Sequence, residues 1–146
     1  MKINSSLEIS APPEAVFYWL GDPERAKTWM TEVTGTEILE KKPGWVGTTF
    51  RETVSDKTGS TELTGVVTAF VENEKIAFDL QGQFNRSKVS YHLTDIDGCT
   101  RLDMFADVRF KSVYKIIMFI AGPAFRKKIT DQLMTELATL KKLAEA

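Results

Sequence analysis

The chain has 146 residues, 42% hydrophobic and 27% charged, with a net charge of −1 and one cysteine, Cys99. That length suits one soluble globular domain, residues 1–146, with chain enough to bury a core. The near-neutral balance argues against nucleic acid as a partner, and a lone cysteine allows no internal disulfide and no multi-cysteine metal site.

Residues 2–10 alternate, with Ile3, Leu7 and Ile9 on one side, and read as a first strand. They hold neither a basic stretch nor an apolar run of the kind that opens a secretory leader, so the expected compartment is the cytoplasm. Ala11-Pro12-Pro13 stops this strand and opens a short helix carrying Val16, Trp19 and Leu20, closed by Gly21. Asp22-Pro23-Glu24 starts a second short helix, with Asp22 as cap, that ends near Trp29. A second strand is expected around Thr36 to Lys41, turned by Pro43-Gly44.

From about Val46 to Phe110 the pattern is one antiparallel meander, and its hairpins can be registered. With Asp97-Gly98 as a two-residue loop, Leu93 meets Leu102, Tyr91 meets Met104 and Val89 meets Ala106 on a dry face. His92 then meets Asp103 and Lys88 meets Asp107 on the wet face. A loop at Asn73-Glu74 would pair Val71 with Ile76, Ala69 with Phe78 and Val67 with Leu80. A looser turn at Lys57 to Ser60 would pair Val54 with Leu63, Phe50 with Val67 and Glu52 with Gly65, setting one carboxylate on an otherwise apolar face.

The last segment places Phe125, Ile129, Leu133, Leu137, Leu140 and Leu143 on one helical stripe. Because proline disfavours helix in the residue before it, Gly122-Pro123 predicts that Val113 to Ala121 is a separate or kinked stretch. Ile116 to Ala121 is the longest apolar run and far too short to span a bilayer. Residues 111–146 carry +4 and leave −5 for the remainder, a pattern that a solvated helix face explains. About seven strands span about 30 Å while one helix is about 10–12 Å across, so the sheet must curl and leave a hydrophobic pocket beside the helix.

Gly47-Thr48-Thr49-Phe50-Arg51-Glu52, the Val66-Val67 and Phe70 pattern, Asp97 to Leu102, the Pro12 to Trp29 region and the terminal helix resemble the START-related superfamily. Its polyketide cyclase/dehydrase-type branch is the nearest in pattern. The resemblance covers nearly the whole chain and implies an α+β helix-grip fold: a curved sheet of about seven strands, two short helices after the first, and one long C-terminal helix gripped across it. It implies a cavity for a lipid, polyketide or sterol-like molecule, and it offers no common catalytic set to carry over.

The chemistry therefore rests on single residues. Glu52 in an apolar pocket would have a raised pKa suited to a general acid or base; a bulge would instead turn it to solvent, and pairing with Arg51 or a lysine would make it structural. Tyr91 faces inward and could offer its hydroxyl to a bound carbonyl, or simply fill core. The inward register nominates Phe50, Val67, Phe78, Leu80, Tyr91, Met104, Phe110, Phe125 and Ile129 as ligand contacts. Trp19, Trp29, Trp45 and Phe119 add to the aromatic content and favour an apolar ligand over a polar one.

His92 reads as a surface pair with Asp103. Asp79, Asp103 and Asp107 fall on the wet face, so neither a metal site nor a carboxylate pair is expected there, and no cofactor is. Three readings stay open: a binding or transport domain for a hydrophobic small molecule, with the long helix and Lys111 to Pro123 as a lid; an enzyme that cyclises or dehydrates such a ligand with Glu52 and Tyr91; and a protein- or membrane-surface interaction module using Tyr114 to Ile120 beside its lysines.

Overall fold

The computed structural model describes residues 1–56 and 59–146. One seven-stranded antiparallel sheet runs in the order β1-β7-β6-β5-β4-β3-β2, a meander from β2 onward with the first strand returned against the last. The strands are β1 (Lys2–Ile9), β2 (Val33–Glu40), β3 (Thr49–Asp56), β4 (Gly59–Val71), β5 (Lys75–Gln81), β6 (Asn85–Ile96) and β7 (Cys99–Phe110). Between β1 and β2 lie α1 (Pro13–Leu20), a 3-10 turn (Pro23–Arg25) and α2 (Ala26–Trp29); α3 (Ser112–Glu145) ends the chain. This is the helix-grip arrangement: one curved sheet with a long helix laid across it.

Strand alternation decides which side is dry. Leu102, Met104, Ala106 and Val108 of β7 are buried, and Tyr91 and Leu93 of β6 join them. Leu137, Leu140 and Ala144 of α3 close over that patch together with Val16, Phe17 and Leu20 of α1. Thr100 pins the first corner, its hydroxyl donating to the Ala11 carbonyl at 2.7 Å. Asp22 caps the 3-10 turn by accepting from the Glu24 amide at 2.9 Å.

The β6–β7 hairpin has the expected register throughout, from Ile96 opposite Cys99 to Lys88 opposite Asp107. Asp97 and Gly98 both take positive φ, 51° and 87°, as a tight primed turn requires. The other two hairpins differ from expectation. Asn73 adopts a φ of 63° in a three-residue loop, so Val71 faces Lys75 and Phe70 faces Ile76. An irregularity between Val67 and Ala69 then shifts the register again, and Val67 meets Phe78 rather than Leu80. Phe70 therefore turns toward the core while Val71 is exposed.

In the β3–β4 hairpin, Glu52 faces Leu63, Phe50 faces Gly65 and Val54 faces Thr61, two residues from the expected pairing. The pairing runs on to Ser55 opposite Ser60 and Asp56 opposite Gly59, so Gly59 and Ser60 belong to β4 rather than to the turn; the expected turn's Lys57 and Thr58 lie outside the described residues. A slip of two preserves the faces, so Glu52 still points inward. Gly65 is needed at its position because a Cβ there would sit inside the Phe50 ring.

α3 is uninterrupted, with Pro123 inside it, so no separate helix precedes the long one. The proline has no N–H to donate, so α3 forgoes one backbone hydrogen bond at that point.

Candidate functional site

Where the sheet curls away from α3, a cavity of about 210 Å³ remains, walled by β3 to β6, α2 and the middle of α3. Larger hollows exist, one of about 810 Å³ among Arg86, Lys88 and Asp107 and one of about 750 Å³ beside Phe110 and Phe119. Both are more open, and neither holds the buried ionisable groups. Those groups mark the small cavity as the candidate site.

Glu52 stands on its wall with 7% of its surface exposed. The inward face of β3 runs Phe50, Glu52, Val54, while Arg51 on the opposite face pairs with Glu37 at 3.4 Å and Glu62 at 3.8 Å. Arg51 thus does not neutralise Glu52, and no register shift of β3 occurs at that residue. Among the described residues no group hydrogen-bonds the Glu52 carboxyl. Burial pushes its pKa up to about 7, and the negative charge of Glu136 adds to the push.

Glu136 is the partner that sequence reasoning passed over as one more helix charge. It is 6% exposed and enters the cavity from α3. Its Oε1 accepts from the Thr31 amide at 3.2 Å, the Thr31 hydroxyl at 3.1 Å and Gln132 Nε2 at 3.2 Å. Burial raises its pKa, these three donors pull it back, and Glu32 nearby pushes it up again. A signal was present in the sequence: Leu133, Glu136 and Leu140 follow a spacing of three and four, which puts the carboxylate on the apolar stripe.

Tyr91 of β6 completes the polar set. It is 3% exposed, and burial first, then the charges of Glu136 and Glu52, hold its hydroxyl far above the usual phenol range. The phenol therefore stays protonated and can only donate or accept a hydrogen bond. Its ring is fixed edge-on by Trp29 at 6.1 Å and Phe78 at 6.2 Å, and Trp29 is itself held through Nε1 donating to the Trp19 carbonyl at 3.1 Å.

Of the remaining residues nominated from the sequence, Phe78 and Leu80 line the cavity with Glu52 and Tyr91. Phe50, Val67 and Met104 are buried but do not enter its lining. Ile129 packs against the core, while Phe110 and Phe125 meet at 5.5 Å outside the cavity. The α3 residues in the lining are Gln132, Leu133 and Glu136, so Lys111 to Pro123 does not roof it. Trp45 stacks on Phe70, and His92 is exposed opposite Asp103. Among the described residues no cluster of three or more His, Cys, Asp or Glu is placed to hold a metal ion.

The arrangement is a mostly apolar chamber with two repelling carboxyls and one phenol. With its pKa near 7, the Glu52 carboxyl passes readily between its protonated and charged forms around neutrality. The chamber can thus donate to, or take a proton from, a guest in a water-poor setting.

Comparison with known proteins agrees with this architecture. A START superfamily protein from Mycobacterium smegmatis superimposes with a TM-score of 0.80 at 21% identity, covering 99% of this chain and 97% of that one. The Zhui aromatase/cyclase from a Streptomyces species gives 0.84 at 15% identity over 99% and 93%, and a protein from Thermus thermophilus gives 0.82 at 16% over 99% and 97%. At these identities the likeness establishes the fold alone. No curated protein matches the sequence. The family model described as polyketide cyclase/dehydrase and lipid transport matches residues 1–145, and the chain belongs to that family.

Proposed function

We propose that the protein binds a small hydrophobic molecule in the cavity between sheet and α3, and that a carbonyl or hydroxyl of this guest is held by Glu52 and Tyr91. The observation that carries this reading is the apolar chamber with a buried Glu52 carboxyl on its wall that none of the described residues hydrogen-bonds. Burial in that chamber disfavours the charged carboxylate, and a guest that hydrogen-bonds it offsets part of that cost. The volume bounds the guest. About 210 Å³ is below the about 300–1,000 Å³ of pockets for drug-sized ligands, so a sterol or long polyketide enters only if α2 and α3 part.

A second reading is favoured by Glu52 and Tyr91 lining the same cavity: acid–base catalysis on such a guest. A carboxyl near pKa 7 is poised to remove a proton from a carbon beside a carbonyl and to return one to a departing hydroxyl. Tyr91, always protonated, would hold the carbonyl oxygen as charge develops on it. Cyclisation, the activity named for the Streptomyces neighbour, belongs to this class when it proceeds with loss of water.

Comparison of intact mass under native and denaturing conditions, with extraction of the difference, tests binding directly. A reproducible apolar adduct supports the reading, and an empty protein that binds no apolar probe of matching size overturns it. Glu52→Gln then separates the two roles: a carrier keeps its ligand and never turns it over, whereas an enzyme keeps binding and loses turnover.

A further inference from the structure

Between Lys111 and Lys128 the chain carries five basic residues and no acidic one. The same stretch forms the first turns of α3, where Ile116, Ile117, Phe119 and Ile120 are 68, 51, 89 and 79% exposed. Isolated apolar residues on a surface are ordinary, but four within five positions of one helix are not. At about 100° per residue, Ile116, Ile117 and Ile120 share one outward arc with Phe119 at its edge. The inward side of this stretch is occupied: Tyr114 meets Phe84 at 4.8 Å and Phe125 meets Phe110 at 5.5 Å.

Basic groups surround that arc. Lys115, Lys127 and Lys128 are exposed, Arg126 is held against the Lys2 carbonyl at 3.0 Å, and Lys111 donates to the Gly82 carbonyl at 2.9 Å. We propose that this face docks on an anionic lipid bilayer, with the isoleucines and Phe119 at the boundary of headgroups and acyl chains and the lysines among the headgroups. Charge selects this occupant. A second copy docked by two-fold symmetry would oppose one +5 segment to another, whereas an anionic bilayer supplies both negative charge and apolar depth. Among the described residues no helix is long and apolar enough to cross a membrane, so α3 lies on the surface rather than through it.

Docking there also orients the cavity. Phe84, half-exposed, belongs to the β5–β6 turn, and the register places the cavity residues Leu63 and Leu80 toward that same end of the sheet. A hydrophobic guest dissolved in the bilayer would then face the cavity end of the protein.

Vesicle flotation of the empty protein tests this without reference to any ligand. Vesicles of phosphatidylcholine with a minority of phosphatidylserine should carry the protein up, with binding that weakens as salt rises; phosphatidylcholine alone should carry little. Exchanging Lys115, Lys127 and Lys128 for Gln should weaken anionic-vesicle binding roughly a hundredfold. Phe119→Ser with Ile120→Ser should abolish it while leaving the unfolding temperature unchanged, and Glu52→Gln should bind vesicles like the parent. Absence of binding, equal binding to neutral vesicles, or binding untouched by either set of substitutions overturns the proposal. So does a stable dimer, by light scattering, that Phe119→Ser dissociates.

Discussion

The two halves of α3 obey opposite rules. From Ile129 onward one stripe faces the sheet, Leu137 and Leu140 are sealed, and the charged residues other than Glu136 keep to the outside. Before Phe125 the helix is apolar on nearly every side yet stands largely in the open. A helix apolar all round ordinarily belongs inside a protein or against lipid. The contrast teaches that the second half exists to complete the core and the chamber, and that folding alone does not account for the first.

The sharpest way to break this comparison is to cut the same helix in both halves. Leu140→Ala should cost about 2–5 kcal/mol in denaturant unfolding, because a fully buried leucine leaves a hole its neighbours cannot fill. Loss of less than about 1 kcal/mol would mean that the second half is as loosely held as the first.

Next in size is the chamber's own strain. The Glu52 carboxyl titrates near 7 in the folded protein against an ordinary value of 4.5, so between those values the folded state holds the proton more tightly. Its contribution therefore destabilises the fold progressively as pH rises from about 4.5 to 7 and stays constant above, reaching the order of 3 kcal/mol. Glu136, raised too, acts in the same direction. Glu52→Gln should accordingly be more stable than the parent at pH 8 and equal to it at pH 4. A variant that is less stable at pH 8 would show that the carboxylate is satisfied after all.

Thr31→Val should remove one donor to Glu136, cost about 1 kcal/mol and move the pH dependence of unfolding further upward. No change in that profile would disconnect the α2–β2 connection from the chamber. Last, Phe119→Ser should alter stability by less than about 0.5 kcal/mol despite removing a large aromatic side chain. A larger loss would show that the exposed half is structural in its own right.

Much of this architecture is written locally. Asp97-Gly98 set the register of β6–β7 because a two-residue primed turn leaves no freedom, and that register put Tyr91 inside and His92 outside. The β4–β5 hairpin was misread because a bulge has no marker in the residues themselves, and the αL residue at Asn73 changed the loop length by one. Pro123 suggested a separate or kinked stretch, and the helix runs through it as one element.

The chain by itself thus determined the order of strands and helices, the inward face of β3 and hence Glu52, and the stripe that lets α3 grip the sheet. Those follow from periodicity and turn chemistry, which act over a few residues. Only the tertiary structure decided that Glu136, 84 positions away, would share a chamber with Glu52 and Tyr91. It also decided that the chamber would be small and that Ile116 to Ile120 would stay uncovered. Sheet curvature and the angle at which α3 crosses it set all three, and these come from the sum of many packing contacts rather than from any one segment.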